Sequence, residues 1–323
     1  MVAPDSFKGT FSAREVAESI GQGVENAGGI ADRCPAADGG EGTAEVLLDA
    51  LGGERRSAQA QDALGRRIEA SYALVRDGSE AVVEVAAASG LSLIAEDERD
   101  PERASSAGTG ELIAAAAAAG ARRILVAAGG TATTDGGRGA IDAIESAGGL
   151  GEARLEVLCD TSVPFERAAE VFAPQKGASA EQVERLTSRL VAEAGALPRD
   201  PRGRRMTGAA GGLSGGLWAA FGGHLVPGAA FVLGVVGFDR RLDDADAVIT
   251  GEGRLDTQSR EGKLTGEIAR RCRAARVPCH VIAGEIALAP QDEASFGFAT
   301  LAYASSVESI TGAAERIAAA AAR

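Results

Sequence analysis

The chain has 323 residues, 45% of them apolar and 24% charged, and its 33 basic against 46 acidic side chains give a net charge of −13 at pH 7. This is the composition of a globular chain with material for about two domains, and its negative balance argues against nucleic acid as a partner. No apolar run approaches the roughly 18 residues of a membrane span, and "MVAPDSFKG" lacks the basic and apolar regions of a signal peptide, so no membrane association and a cytoplasmic location are expected.

"MVAP" reads as a short strand, followed by the loop "DSFKGTF" and a helix entered through a capping box, Ser12 with Glu15. "ADRCPAADGGEG" running into "TAEVLLDALGG" repeats that order of strand, glycine-rich loop and helix. "RRIEASYALV" and "EAVVEVAAASG" flank "RDGS", which predicts a hairpin turning at Asp77-Gly78 and the entry into a second domain. A helix "ELIAAAAAAG" closed by Gly120, a buried strand "RRILVAAGG" and a strand "LEVLCD" come next. Ser179 and Gln182 cap the helix "AEQVERLTSRLVAEAG". "LPRDPRGRRM" reads as a polar, mobile stretch, and "TGAAGGLSGGLWAAFGG" as a loop and short helix with Trp218 in the core. The closing segments "DAVITGEG", "GEIARRCRAA", "CHVIAGE", "ATLAYA" and "TGAAERIAAAAAR" alternate strand and helix, the pattern of a parallel sheet covered on both faces. The expected fold class is α/β with two α/β domains. One, doubly wound, is built from both chain ends, residues 1–56 and 238–323; the other, mixed α/β, is inserted as residues 57–237.

Cys34, Cys159, Cys272 and Cys279 show no metal-ligand spacing and read as reduced structural thiols. The three lysines, Lys8, Lys176 and Lys263, each adjoin a glycine. A compact ammonium among glycines suits a phosphate in a tight backbone cradle. Five loops share one grammar of strand end, glycines and a carboxylate or lysine: "PDSFKG", "ADGGEG", "GGTATTDGG", "FAPQKGA" and "TGEGRLD". In open α/β sheets such loops gather beyond the carboxyl ends of the strands. Together they carry Asp5, Asp38, Glu41, Asp135, Glu252 and Asp256, which points to a polyanion site with a divalent cation. Neither a Walker loop nor a dinucleotide fingerprint is present. "GLSGG", Gly212 to Gly216, matches the nucleophile elbow of hydrolases but has no strand before it and no well-placed histidine, so it is set aside.

Taken in order, "APDSFKG", "ADGGEGT", "EVAAASGL", "GTGELI", "GGTATTDGG", "FAPQKGA", "GAAGGL" and "VITGEGRLDTQSREGK" resemble the bacterial glycerate kinases that act on the 2-hydroxyl of glycerate. The resemblance spans nearly the whole chain. It departs at Thr131 and Thr134, where the family has serine and asparagine, at Leu264, where it tends to have proline, and in a shortened stretch after Asp142. It implies a flavodoxin-like domain and transfer of the ATP γ-phosphoryl group to D-glycerate with Mg2+, in a cleft between the domains. On this reading Lys8 meets the substrate carboxylate or the moving phosphoryl group, and Lys176 and Lys263 neutralise nucleotide phosphates. Asp5, Ser6, Gly39, Gly40, Gly129, Gly130, Thr131, Thr133 and Arg254 complete the substrate and phosphate contacts. Asp38, Glu252 and Asp256 place Mg2+, and Asp135 is the base for the hydroxyl, with Asp160 its rival. An idle relative that only binds a nucleotide or small hydroxy acid, or a kinase for another hydroxy acid, is the alternative. The oligomeric state is open, a homodimer included.

Overall fold

The computed structural model describes residues 1–7, 9–260, 263–289 and 296–321. They form two compact units, Gly39–Gly228 and a unit of both chain ends, Met1–Asp38 with Ala229–Arg323.

The Gly39–Gly228 unit is built on a six-stranded sheet. Strands β1 (Gly53–Gln61), β2 (Arg67–Val75) and β3 (Glu80–Glu84) pair antiparallel. Arg76, Asp77 and Gly78, all at positive φ, turn the predicted hairpin from β2 into β3. Strands β4 (Arg123–Ala128), β5 (Arg154–Cys159) and β6 (His224–Pro227) then add in parallel, giving the order β1-β2-β3-β4-β5-β6. The near-continuous apolar run of β4 suits a parallel strand covered on both faces. The helices Ala107–Ala118, Arg138–Ser146 and Leu213–Phe221 bring Leu112, Ile144 and Leu217 into one core with Ile124, Val126 and Val157.

In the other unit β7 (Val248–Glu252), β8 (Cys279–Ala283) and β9 (Thr300–Tyr303) lie parallel in that order. The chain start extends this sheet. Ala3 and Asp5 donate their N–H groups to Ile249 and Gly251 at 2.9 and 2.8 Å, and on the other side Val2 donates to Asp32 at 2.8 Å. Val2 forms parallel bridges with both Arg33 and Ile249. Counted along the chain, the order is therefore second, first, third, fourth, fifth, which is the flavodoxin-like doubly wound order. The helix Ala13–Asn26, started by the predicted Ser12–Glu15 capping box, shares a core with the helix Val307–Ala321, Val2, Ile249 and Ile282. Side chains of the opposite pleat, such as Val281, point to the face against which the helix Leu264–Ala275 packs. All four cysteines are buried and unbridged.

The units divide after residues 38 and 228, not after 56 and 237. The helix Thr43–Leu51 reads in sequence as the partner of the second strand, but it packs on β1, β2 and β3. Burial of its Val46 and Leu47 against that sheet carries it into the other unit.

Candidate functional site

The strand order has its switch point between the chain start and β7, and ligands in such sheets sit outside the carboxyl ends of the strands there. Asp5 and Ser6 follow the first strand, and Glu252 ends β7. Asp5 is buried, and its Oδ1 accepts the Ser6 N–H at 2.7 Å. Glu252 is also buried. Its Oε2 accepts from the Ser259 hydroxyl at 3.0 Å, while its Oε1 has no close hydrogen-bond partner among the described residues. The buried Thr265 hydroxyl, in the first turn of the helix Leu264–Ala275, makes no close hydrogen bond among the described residues, yet it faces the Glu252 carboxylate and favours its charged form. Lys263 stands at the N-cap of that helix, half-buried. Burial pushes the Glu252 carboxyl up to about 7, against the pull of Lys263 and of the Thr265 and Ser259 hydroxyls, with the charge of the buried Asp38 adding to the rise. A buried carboxylate with one oxygen clear of close hydrogen bonds, beside a lysine and a second carboxylate, can take a cation or a donated proton.

Other sequence candidates in this unit are engaged nearby. Arg254 pairs with Glu285 at 3.1 Å and lies 3.8 Å from Asp256, whose N–H donates to Ser259 Oγ at 3.2 Å. Lys8 lies outside the described residues.

"GGTATTDGG" sits in the Gly39–Gly228 unit, after β4, and almost all of it is buried. Asp135 Oδ2 accepts the N–H and the hydroxyl of Ser106, each at 2.8 Å, and the N–H of Gly139 at 3.1 Å. Its Oδ1 accepts the Gly137 N–H at 3.1 Å. A carboxylate satisfied by four donors ties the starts of two helices to the loop, and this favours an ordering role over that of a base. Thr131 and Thr133 share a hydroxyl contact of 2.9 Å, and Thr131 also donates to the Ser89 carbonyl at 3.1 Å. Lys176, expected on phosphate, is only 3% exposed and donates to the Thr133 carbonyl at 2.5 Å and to Thr134 Oγ1 at 3.3 Å. Burial lowers its pKa to about 7, partly offset by the Asp135 charge.

The glycines of this loop answer to packing. A Cβ on Gly129 would come within 2.8 Å of Gly40 Cα, and one on Gly212 within 2.9 Å of Gly136 Cα. Main chain therefore meets main chain on both sides of the loop, which only glycine permits. Gly39 is as close to Gly228, at 2.6 Å. Gly130 is the exposed residue of the set Gly129, Gly130, Thr131 and Thr133. Asp160, on the bend after β5, is half-buried.

Several contacts were missed in the sequence. Glu84, at the end of β3, accepts the Ala44 N–H at 2.7 Å. It thus occupies the start of the helix Thr43–Leu51, whose N–H groups could otherwise receive an anion. Burial raises its pKa, the Ala44 bond opposes this, and Glu41 adds to the rise. Ser106 and Thr265 carry no motif beyond their place at a helix start. Trp218 is not core. It is half-buried, with the Arg199 and Arg204 guanidinium carbons 4.4 and 4.7 Å from its ring, which fastens the "LPRDPRGRRM" stretch expected to be mobile. Ser214 is fully buried and donates to the Met206 carbonyl at 2.7 Å, a structural serine.

The family model described as the glycerate kinase family matches residues 1–149 and 146–323, two segments that meet where the sequence is shortened. A glycerate kinase of Bacillus subtilis (strain 168) is 39% identical over 326 residues, spanning 88% of this chain and 85% of the relative. A glycerate 2-kinase of Escherichia coli (strain K12) is 33% identical over 323 residues, with the same two coverages. The crystal structure of a protein assigned as glycerate kinase 2 from Salmonella typhimurium LT2 is similar with a TM-score of 0.80 and 33% identity, covering 99% of this chain and 96% of that one. With matches of this extent in sequence and fold, the chain belongs to the glycerate kinase family and is a kinase.

Proposed function

We propose that this enzyme transfers the γ-phosphoryl group of ATP to the 2-hydroxyl of D-glycerate, with Mg2+ as the metal. The observation that carries the reading is the buried Glu252 carboxylate at the switch point, with Lys263, Thr265 and Asp38 beside it and no close hydrogen bond to its Oε1 among the described residues. Mg2+ takes one or two carboxylates and leaves its other positions to phosphates and water. Among the described residues no group of three or more carboxylate, histidine or cysteine side chains gathers as a metal cage. Asp38 and Glu252 fit the sparser kind of site, with Asp256 at its margin. When bound there, the metal neutralises charge on the phosphate oxygens.

Lys263 and the hydroxyl of Thr265 bind phosphate oxygens at the start of the helix Leu264–Ala275, where the helix dipole favours an anion. Asp5 and Ser6 hold the loop that leads to Lys8, and Lys8 is assigned to the substrate carboxylate or the transferred group. Gly130, the exposed glycine of its loop, offers backbone approach to the ligand, while Gly39 and Gly40 shape their loop by packing on main chain. Arg254 is held ready by Glu285 and Asp256. With Asp135 satisfied by four donors, orientation of the hydroxyl falls to Asp160. In a loose transition state, position and charge outweigh a base.

The supporting experiment measures ADP formation with D-glycerate, L-glycerate and no acceptor, in Mg2+ and after its removal by chelation. ADP that appears only with D-glycerate and Mg2+ supports the reading. Equal turnover without acceptor, or with L-glycerate alone, overturns it.

A further inference from the structure

Among the described residues Lys176 is the lysine that lies wholly inside a unit, 3% exposed, with its amine on the Thr133 carbonyl at 2.5 Å and on Thr134 Oγ1 at 3.3 Å. It rises from the short turn Pro174–Lys176. The same Thr133 carbonyl lies so close to the Gly211 main chain that a Cβ on Gly211 would overlap it. On the far side of the turn Asp135 collects four donors. The turn from Thr133 to Gly137 is thus held at its start by the buried Lys176 amine and from within by Asp135, which ties it to Ser106 and Gly139, with the Gly211 main chain packed against it.

We propose that Lys176 is a positioning residue that fixes the Thr133–Gly137 turn through the Thr133 carbonyl, and that it makes no contact with phosphate in the reaction. An ammonium committed to a carbonyl at 2.5 Å and closed off from solvent would have to abandon that bond to reach an anion. Left without it, the carbonyl would be a buried acceptor lacking its donor, which is costly. A lysine amine exposed to acetic anhydride is acetylated, whereas one closed off from solvent is not. This makes its accessibility directly measurable. The proposal rests on the glycerate kinase reading only for the activity that is measured.

The first test is acetylation of the folded wild-type enzyme with acetic anhydride, with and without saturating ATP and Mg2+, read by peptide mass spectrometry. Lys176 is expected to stay unmodified in both conditions. Modification in either condition overturns the proposal, and modification suppressed by ATP would place Lys176 on the phosphates. The second test is Lys176→Met. The expected result is a loss of about a hundredfold in kcat through misplacement of the turn, with ATP affinity by calorimetry unchanged. Unchanged kcat, or a loss of ATP affinity, overturns the proposal. Should the wild type transfer no phosphoryl group to glycerate, the kinase reading fails, and the acetylation result still decides where Lys176 sits.

Discussion

Ser106 donates its backbone N–H and its hydroxyl to the same oxygen of Asp135, each at 2.8 Å. One carboxylate oxygen thereby holds the start of the helix Ala107–Ala118 against the loop after β4. An amide cannot reproduce this, because turning one end into a donor sets it against N–H groups that need an acceptor. Asp135→Asn is expected to lower stability by about 2–4 kcal/mol. Urea unfolding followed by circular dichroism measures it, and a midpoint equal to that of the wild type would show that the four bonds are not structural.

Glu252 gives the opposite sign. Its folded pKa, about 7, lies above the ordinary carboxyl value of 4.5. The folded state therefore holds this proton more tightly than the unfolded chain, and the stability gained is full below about 4.5 and lost as pH rises through 7. Glu252→Gln removes that slope, worth up to about 1.4 kcal/mol per pH unit. The variant should melt no lower than the wild type at pH 8, with the difference shrinking toward pH 5. Its kcat should fall by about a hundredfold or more if Glu252 holds the metal or a reacting group. Thermal melts across pH with parallel ADP assays test both statements, and full activity in the variant would remove Glu252 from the site.

Much of the fold was legible because local chemistry dictates it. Both capping boxes, the Asp77-Gly78 turn and the alternation of the last hundred residues stand in the structure as sequence patterns predict. The glycine-rich loops were harder to read. Glycine records a need for close approach but not what approaches, and at Gly129 and Gly212 the neighbour is the protein's own main chain. Lys176 and Asp135 carried the same ambiguity, since a lysine for phosphate and a lysine for a buried carbonyl look alike in sequence. The Glu84 carboxylate at the start of Thr43–Leu51 is 40 residues from Ala44, a contact that no local pattern records.

Two glycines separate these causes. Gly211 has φ +65 and its Cβ position overlaps the Thr133 carbonyl oxygen, whereas Gly203 has φ +69 with nothing within 4 Å. Gly203→Ala bears only the left-handed backbone penalty, about 1–2 kcal/mol. Gly211→Ala bears a main-chain clash as well and should lose more than about 4 kcal/mol or fail to fold. Melting temperatures of the pair decide, and equal losses would contradict the packing described for this loop.

His280, on β8, is buried with neither ring nitrogen hydrogen-bonded among the described residues, and burial lowers its pKa below the ordinary 6.5. The unfolded chain takes up this proton near 6.5 while the folded chain resists it. Its contribution to stability is therefore whole above about 6.5 and declines as pH falls below that value. His280→Leu should flatten the decline between pH 6.5 and 5 in chemical unfolding. An unaltered slope would assign the acid sensitivity to other groups.

The most direct measurement is phosphorus NMR of the product formed from ATP, Mg2+ and D-glycerate. Transfer to the 2-hydroxyl predicts a phosphomonoester signal split into a doublet by the single proton on C2. A triplet from the two protons on C3, or no new phosphomonoester at all, would contradict the account.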